Sequence, residues 1–326
     1  MTHDRTEQLV RDAFAEEAAR AADPREVLAN VRGRRPRRSY GLVLATAAVV
    51  VVVAAVATFV VPKVFQHGSV PAAGERQQSQ AVQPTNVLVV GVDEYKNTDS
   101  IVLVQINRDG STSLVSLPRD SWVSAAGTMT KLNQVYQASG MDALAATVRD
   151  LTGVTVEHWA VVDTVALRDL TNAVGGVDVC LTNAVSDTYS GADFRAGKQT
   201  LNGDAALAFV RQRHGLRNGD LDRIARLQVF LQSLLAKLDG KHLPTLLTAV
   251  QDHVQIDQGL DVVGFIQDLA AGKAVHVGTI PVKNLDYRTP EGPFAIEVDP
   301  GQVKQFVADL PNTQGSGTNT GVPCVN

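Results

Sequence analysis

A layered α/β domain with a mixed sheet, preceded by one transmembrane helix, is the fold that this chain predicts. Three observations lead there. An uncharged apolar run lies near the N-terminus; β-branched runs alternate with helix-period segments after residue 85; and Asp109-Gly110 joins two early runs as a hairpin.

The apolar run extends from Ser39 to Val61 and contains no charged residue. Its 23 residues reach about 34 Å as a helix at ~1.5 Å per residue, enough for a hydrocarbon core of about 30 Å. Val51, Val52, Val53, Val56 and Val60 are poor helix formers in water, but in lipid only a helix satisfies every backbone group within one segment. A buried helix of a soluble core, the other reading, is seldom uncharged on every face for this length. Arg32, Arg34, Arg35, Arg37 and Arg38 precede the run, whereas Lys63 stands almost alone beyond it. That asymmetry places residues 1–38 in the cytosol and the rest outside. A cleaved signal peptide would have a shorter apolar region, a shorter charged segment and a small-x-small cleavage site, none of which stands out here.

The expected organisation is therefore a cytosolic segment at 1–38, a membrane span at 39–61 and an extracytoplasmic stalk at 62–84. A globular domain follows at 85–311, then a Gly/Thr/Ser tail at 312–326. The first 38 residues hold nine Arg against seven Asp or Glu, a net of +2, so the remainder carries −6 of the overall −4. An outer domain of that sign is no general polyanion binder, and phosphate recognition must come from local arginines. No helix-turn-helix is recognisable in the cytosolic segment, and nucleic acid is not an expected partner.

Cys180 and Cys324 both fall on the expected outer side. An even count in an oxidising compartment favours a disulfide that ties the tail to a strand end; two unpaired thiols are the alternative. No His or Cys lies around either at metal-ligand spacing.

Strands are expected at Asn86–Val92, Ile101–Asn107, Ser113–Leu117, His158–Val162, Val177–Leu181, Val275–Pro281 and Phe294–Val298. Helices are expected at Asp142–Leu151, Val165–Val174, Asp204–Arg211, Leu221–Leu238 and Gln302–Leu310. The fourth repeats at i, i+3 and i+4 through Ile224, Leu227, Phe230, Leu231 and Leu234, a stripe that ordinary core packing explains equally well.

Three charge clusters depart from this pattern. Asp93 and Asp99 bracket a short loop between two strands, where paired carboxylates suit a hard cation, although Asp in a loop is also ordinary turn chemistry. Leu117-Pro118-Arg119-Asp120 ends a strand, where open α/β sheets place ligand groups; a surface ion pair is the other reading. Arg211-Gln212-Arg213 is followed by Asp220, Arg223 and Arg226 at the start of a helix. If residues 211–213 are extended, Arg211 and Arg213 project to one side, and guanidinium groups bind phosphate oxygens in pairs. An internal ion-pair network remains open.

From Thr85 to about Pro311 the chain resembles the LytR-CpsA-Psr family. The resemblance rests on Gly91-Val92-Asp93, Thr98-Asp99-Ser100, Ser116-Leu117-Pro118-Arg119-Asp120, Lys131-Leu132-Asn133, Gly175-Gly176-Val177-Asp178-Val179, Leu201-Asn202-Gly203-Asp204 through Arg211-Gln212-Arg213, and Asp220-Leu221-Asp222-Arg223. Each stretch alone is weak; their order behind a membrane anchor is specific. The resemblance implies a three-layer α/β/α sandwich with a mixed central sheet, and a phosphotransferase that moves a glycopolymer from a polyprenyl-pyrophosphate carrier onto peptidoglycan at the outer face of the cell membrane. It implies Mg²⁺, with Mn²⁺ as a substitute, at Asp93 and Asp99. Arg119, Arg211, Arg213 and Arg223 would be the catalytic grip on the pyrophosphate, with Lys131 and Asp220 also in the substrate site. Two positions depart from the family pattern: Asn97 where an Arg is common, and Leu227 where a Gln is common. They motivate a second reading, a non-catalytic paralogue that binds carrier lipid or wall polymer. A third, a membrane-bound transcriptional attenuator, conflicts with the expected topology.

Overall fold

The computed structural model describes residues 84–238, 243–272, 274–290, 292–313, 316–317 and 323–326. The cytosolic segment, the transmembrane helix at 39–61 and all of the stalk but Pro84 lie outside the described residues. Among the described residues no helix is long and apolar enough to cross a membrane.

In chain order the elements begin with β1 (Thr85–Val92), β2 (Thr98–Ile106), β3 (Thr112–Leu117), β4 (Ser121–Ala125), β5 (Thr128–Lys131), α1 (Leu132–Thr152), β6 (His158–Asp163) and α2 (Thr164–Ala173). Next come β7 (Val177–Leu181), β8 (Val185–Asp187), β9 (Ala192–Phe194), β10 (Gly197–Leu201), α3 (Gly203–Arg211), α4 (Asp220–Lys237) and α5 (Leu243–Val250). The chain continues with β11 (Val254–Ile256), α6 (Val262–Ala271), β12 (Ala274–Thr279), β13 (Asn284–Arg288), β14 (Phe294–Glu297), α7 (Pro300–Asp309), β15 (Ser316–Gly317) and β16 (Cys324–Val325).

The main sheet runs β11-β6-β1-β2-β3-β12-β15. β6 is parallel to β1 and β12 to β3, while the β1-β2-β3 meander and both outer pairs are antiparallel, so the sheet is mixed. Side-chain alternation sorts its residues between two faces. Leu88, Val90, Leu103 and Val115 pack with Leu144 and Val148 of α1 and with Val303 and Val307 of α7. Val102, Val104, Leu114 and Val275 meet Leu231 and Leu235 of α4 and Phe265 and Leu269 of α6. With both faces covered, these strands are apolar almost throughout.

A second cluster joins β7, α3, α4 and α5 through Val177, Val179, Phe209, Val229, Phe230 and Leu246. It seats α3 close against α2. A Cβ at Gly203 would lie 2.3 Å from the Arg168 carbonyl, and the Gly203 amide donates to Asn172 Oδ1 at 2.8 Å. Only glycine permits that approach.

The expected strands and helices are all present, with shifted ends. α1 starts ten residues before the expected Asp142, because Gly140, at φ 78, kinks one long helix and interrupts its apolar period. The strands β4, β5 and β13 that join β14 in a small sheet, the strands β8 to β11 and the helices α5 and α6 were not expected. Ser121–Ala125 and Thr128–Lys131 are short and mixed in polarity, and the α6 pattern is broken by Gly264.

Cys180 and Cys324 are joined, and β16 pairs in parallel with β7 beside them. A link between residues 144 apart removes about 5 kcal/mol of chain entropy from the unfolded state on the loop-closure account. Cys324→Ser is expected to lower the urea midpoint accordingly; an unchanged midpoint would show that the link constrains nothing.

Candidate functional site

The site is built around a β-bulge. Along β1 and β2, Gly91 pairs with Ser100 and Val92 with Thr98, which leaves Asp99 as the extra residue. A bulged residue is released from strand alternation and its side chain is re-aimed. Asp99 Oδ1 accepts from Arg119 Nη1 at 2.5 Å and from Arg213 Nη2 at 3.0 Å, and Arg223 Nη1 lies 3.5 Å away. Arg223 Nη2 also donates to the Asp99 backbone carbonyl at 3.1 Å.

Each arginine is delivered by a different element. Arg119 follows β3 through Pro118, in a turn closed by Ser121 N to Pro118 O and tied to the start of α1 by Asn133 N to Arg119 O. α3 ends at Arg211, and Gln212, at φ −57 and ψ 132, carries the chain on in extended form to Arg213. Arg223 stands in the first turns of α4, 7% exposed, and donates to Asp220 Oδ1 at 2.5 Å.

Arginines outnumber carboxylates only narrowly: Arg119, Arg211 and Arg223 line one cavity with Asp99, Asp163 and Asp220, and Arg213, which reaches Asp99 beside them, makes the surplus. Burial pulls the Arg223 guanidinium below its ordinary range; Asp220 and Asp99 oppose the shift, while Arg119 and Arg213 add to it. Arg119 Nε and Asp220 Oδ2 are buried without a hydrogen-bond partner among the described residues. A cluster with surplus positive charge and an unused buried donor is suited to an oxyanion.

The same cavity, about 210 Å³, is largely apolar elsewhere, apart from Ser100, Ser116, Asp163 and Thr164. Its walls include Leu167 and Leu170 of α2, Leu207 and Val210 of α3, and Ile224, Leu227, Leu231 and Leu234 of α4. Arg223 and Leu234 are eleven residues apart on one helix, so the lining extends roughly 16 Å along α4 at ~1.5 Å per residue. Phe230 lines the cavity and also belongs to the buried core. The contributions of α2 and α3 went unrecognised in the sequence; the one available signal was apolar residues on these helices beyond those needed for a core face.

Asp93 lies outside this lining. Its Oδ1 accepts from the amides of Tyr95 and Asn97, at 2.9 and 2.8 Å, and its Oδ2 accepts from Asn97 Nδ2 at 2.9 Å. Burial pushes the Asp93 carboxyl up, but the bonds from Asn97 and Tyr95 and the Arg211 charge outweigh it and hold the group below its ordinary value. Lys131 is likewise outside the lining and pairs with Asp120 at 3.3 Å. Asn97 Oδ1 accepts from Gln137 Nε2 at 2.9 Å, and Gln228, beside Leu227, bridges Ser116 of β3 and Thr279 of β12.

For a metal the donors are few. Among the described residues no group of three or more His, Cys, Asp or Glu is arranged to hold an ion. Asp99 Oδ2 makes no hydrogen bond among them, and Asp93 Oδ2, with one bond accepted, keeps acceptor capacity. Such a set fits a hard cation that draws most ligands from water and phosphate, and does not fit zinc.

Fold and site together define an α/β domain whose clustered arginines adjoin a largely apolar cavity. The chain belongs to the LytR_cpsA_psr family, whose profile matches residues 63–309. It is 38% identical over 259 residues to the cell wall biosynthesis protein LcpA of Corynebacterium glutamicum, an alignment covering 68% of this chain and 50% of LcpA. It is 31% identical over 193 residues to the polyisoprenyl-teichoic acid–peptidoglycan teichoic acid transferase TagU of Enterococcus faecalis, covering 55% of this chain and 63% of TagU. The chain thus spans about half the length of LcpA and under two thirds of TagU. Among solved structures it is similar to a protein from Enterococcus faecalis described as a transcriptional regulator, with a TM-score of 0.62 and 25% identity over 71% of this chain and 87% of that one.

The two ion pairs on Asp99 and Asp220 should differ sharply in energetic weight. Arg223→Ala strands a shielded carboxylate and is expected to cost about 3–5 kcal/mol. Arg213, with a side chain 55% exposed, is expected to change stability by no more than about 1 kcal/mol on replacement by Ala. Thermal unfolding in anion-free buffer measures both; losses of equal size would reverse this ranking.

Proposed function

We propose that the chain is a membrane-anchored, extracytoplasmic transferase that moves a glycopolymer from a polyprenyl-pyrophosphate carrier to peptidoglycan. The observation that carries this reading is one cavity holding both the arginine cluster and a long apolar wall, which matches a pyrophosphate attached to a prenyl chain. The name of the relative TagU, a polyisoprenyl-teichoic acid–peptidoglycan transferase, supports the same reaction class. The apolar run at 39–61 supports the anchor.

In the proposed reaction an acceptor hydroxyl oxygen on peptidoglycan bonds to the sugar-side phosphorus. The bond from that phosphorus to the prenyl phosphate oxygen breaks, polyprenyl phosphate leaves and the hydroxyl proton is released. Arg119 and Arg223, held from two directions on Asp99, would bind pyrophosphate oxygens and stabilise the charge that grows on the leaving phosphate. Arg211 and Arg213 would approach from the α3 end. Incoming phosphate oxygens would take over the contacts that Asp99 Oδ1 now makes. Mg²⁺ or Mn²⁺, when bound at Asp99 with Asp93 nearby, would supply further charge neutralisation. The walls from α2, α3 and α4 would hold the first part of the prenyl chain and keep water from it.

A second reading is a domain that binds the carrier without transfer. Asn97 favours it, because a neutral amide committed to Asp93 and Gln137 stands where the family pattern commonly has Arg. Release of polyprenyl phosphate separates the two.

The test is transfer of a labelled saccharide from its polyprenyl-pyrophosphate carrier to peptidoglycan by the full chain in detergent. Arg119→Ala is expected to reduce the rate by about 10²-fold or more. Leu231→Trp is expected to weaken binding of long-chain polyprenyl phosphates while inorganic pyrophosphate still binds. Wild-type protein that binds carrier but releases no polyprenyl phosphate, with either metal, would establish the second reading instead.

A further inference from the structure

Arg211 and Arg213 sit on a link that is helical only as far as Arg211. The contacts that hold this link lie outside the cavity. Gln212 is 1% exposed, and unlike Arg211 it does not line the cavity. Its Nε2 donates to the His214 carbonyl at 2.9 Å, and its Oε1 accepts from Arg226 Nη1 at 2.5 Å. One side chain therefore spans the backbone on the far side of Arg213.

Arg226 is fully buried and takes no part in lining the cavity. Burial pushes its guanidinium down to about 10, so it remains charged at neutral pH. The charges of Asp222 and Asp187 oppose that shift. Its hydrogen bonds go to Gln212 Oε1, the Phe209 carbonyl at 3.4 Å and the main-chain oxygen of Asn326 at 2.5 Å, with the Phe209 ring 4.9 Å from its guanidinium carbon. A buried cation held by so few acceptors depends on each of them.

Asn326 is held in its turn. Thr182 N donates to the Val325 carbonyl at 2.8 Å, Thr182 Oγ1 donates to Asn326 Oδ1 at 2.5 Å, and Cys324 is bonded to Cys180. Contacts thus run unbroken from the disulfide through Asn326, Arg226 and Gln212 to the backbone that carries Arg213.

We propose that Gln212 and Arg226 are positioning residues for Arg211 and Arg213, and that the disulfide-anchored tail holds Arg226 in the orientation that Gln212 needs. The inference rests on reading the arginine cluster as an anion site. In it the tail belongs to the working site although none of its described residues lines the cavity.

The test is a double-mutant cycle on the full chain, with inorganic pyrophosphate as the probe and calorimetric affinity as the readout. Gln212→Ala should weaken binding roughly tenfold in the wild-type background. It should have little further effect in an Arg213→Ala background, because the residue through which it acts is gone. Equal losses in both backgrounds would overturn the proposal. A second readout needs no ligand: hydrogen exchange of the 209–215 backbone, which should quicken in Cys324→Ser and in Arg226→Lys. If wild type fails to bind pyrophosphate, the anion-site reading falls and exchange alone decides the positioning claim. Exchange at 209–215 unchanged in both variants would refute it.

Discussion

The carboxylate of Asp99 meets guanidinium groups from three distant parts of the chain, and the placement of those parts follows from that convergence. Arg119, Arg213 and Arg223 lie 20, 114 and 124 residues away in sequence. Their like charges repel at this separation, and Asp99, with Asp220 on Arg223, compensates them only in part. The domain keeps them together because each is fixed by its own element: a proline turn after β3, an extended link after α3, and the first turns of α4. Rigid elements thereby store an electrostatic mismatch that a ligand with several negative oxygens would relieve.

The bulge makes this possible. In a regular β1-β2 ladder Asp99 would alternate strictly with its neighbours and its carbonyl would belong to the strand pairing. Released from both constraints, Asp99 offers Oδ1 and a backbone carbonyl to arginines at once. Gly91 faces the same irregularity, where a Cβ would lie 2.3 Å from Ser100 Oγ. The glycine of Gly91-Val92-Asp93 thus has a local packing reason, as Gly203 has at the contact of α3 with α2.

How much of this was legible in the sequence depends on the range of the interaction involved. β1, β2, β3, β6 and β12 are runs of β-branched and aliphatic residues with both faces covered, so their composition declares them. β4, β5 and β13 are short, partly polar strands that owe their existence to pairing with distant segments, and nothing local marks them. The arginines and Asp99 could be named from charge density and resemblance, but the sharing of one oxygen could not, because it depends on register. Asp93 illustrates the converse. Its turn bonds to Tyr95 and Asn97 were foreseeable from an Asp in a short loop, whereas its absence from the cavity lining was not. The stripe through Leu227, Leu231 and Leu234 has one periodicity whether it faces a core or a cavity, so only the packing of α2 and α3 distinguishes the two.

α4 carries a charged grip in its first turns and an apolar wall farther along the same face, so both parts of the cavity are measured on one rigid rod. The spacing between them cannot adjust without bending the helix. Helical rise therefore acts as a gauge: a ligand whose charged head and greasy tail are joined by a bulky polar spacer would satisfy one end and miss the other. Discrimination of that kind needs no contact that recognises the spacer, and it would survive wide changes in which aliphatic residues form the wall.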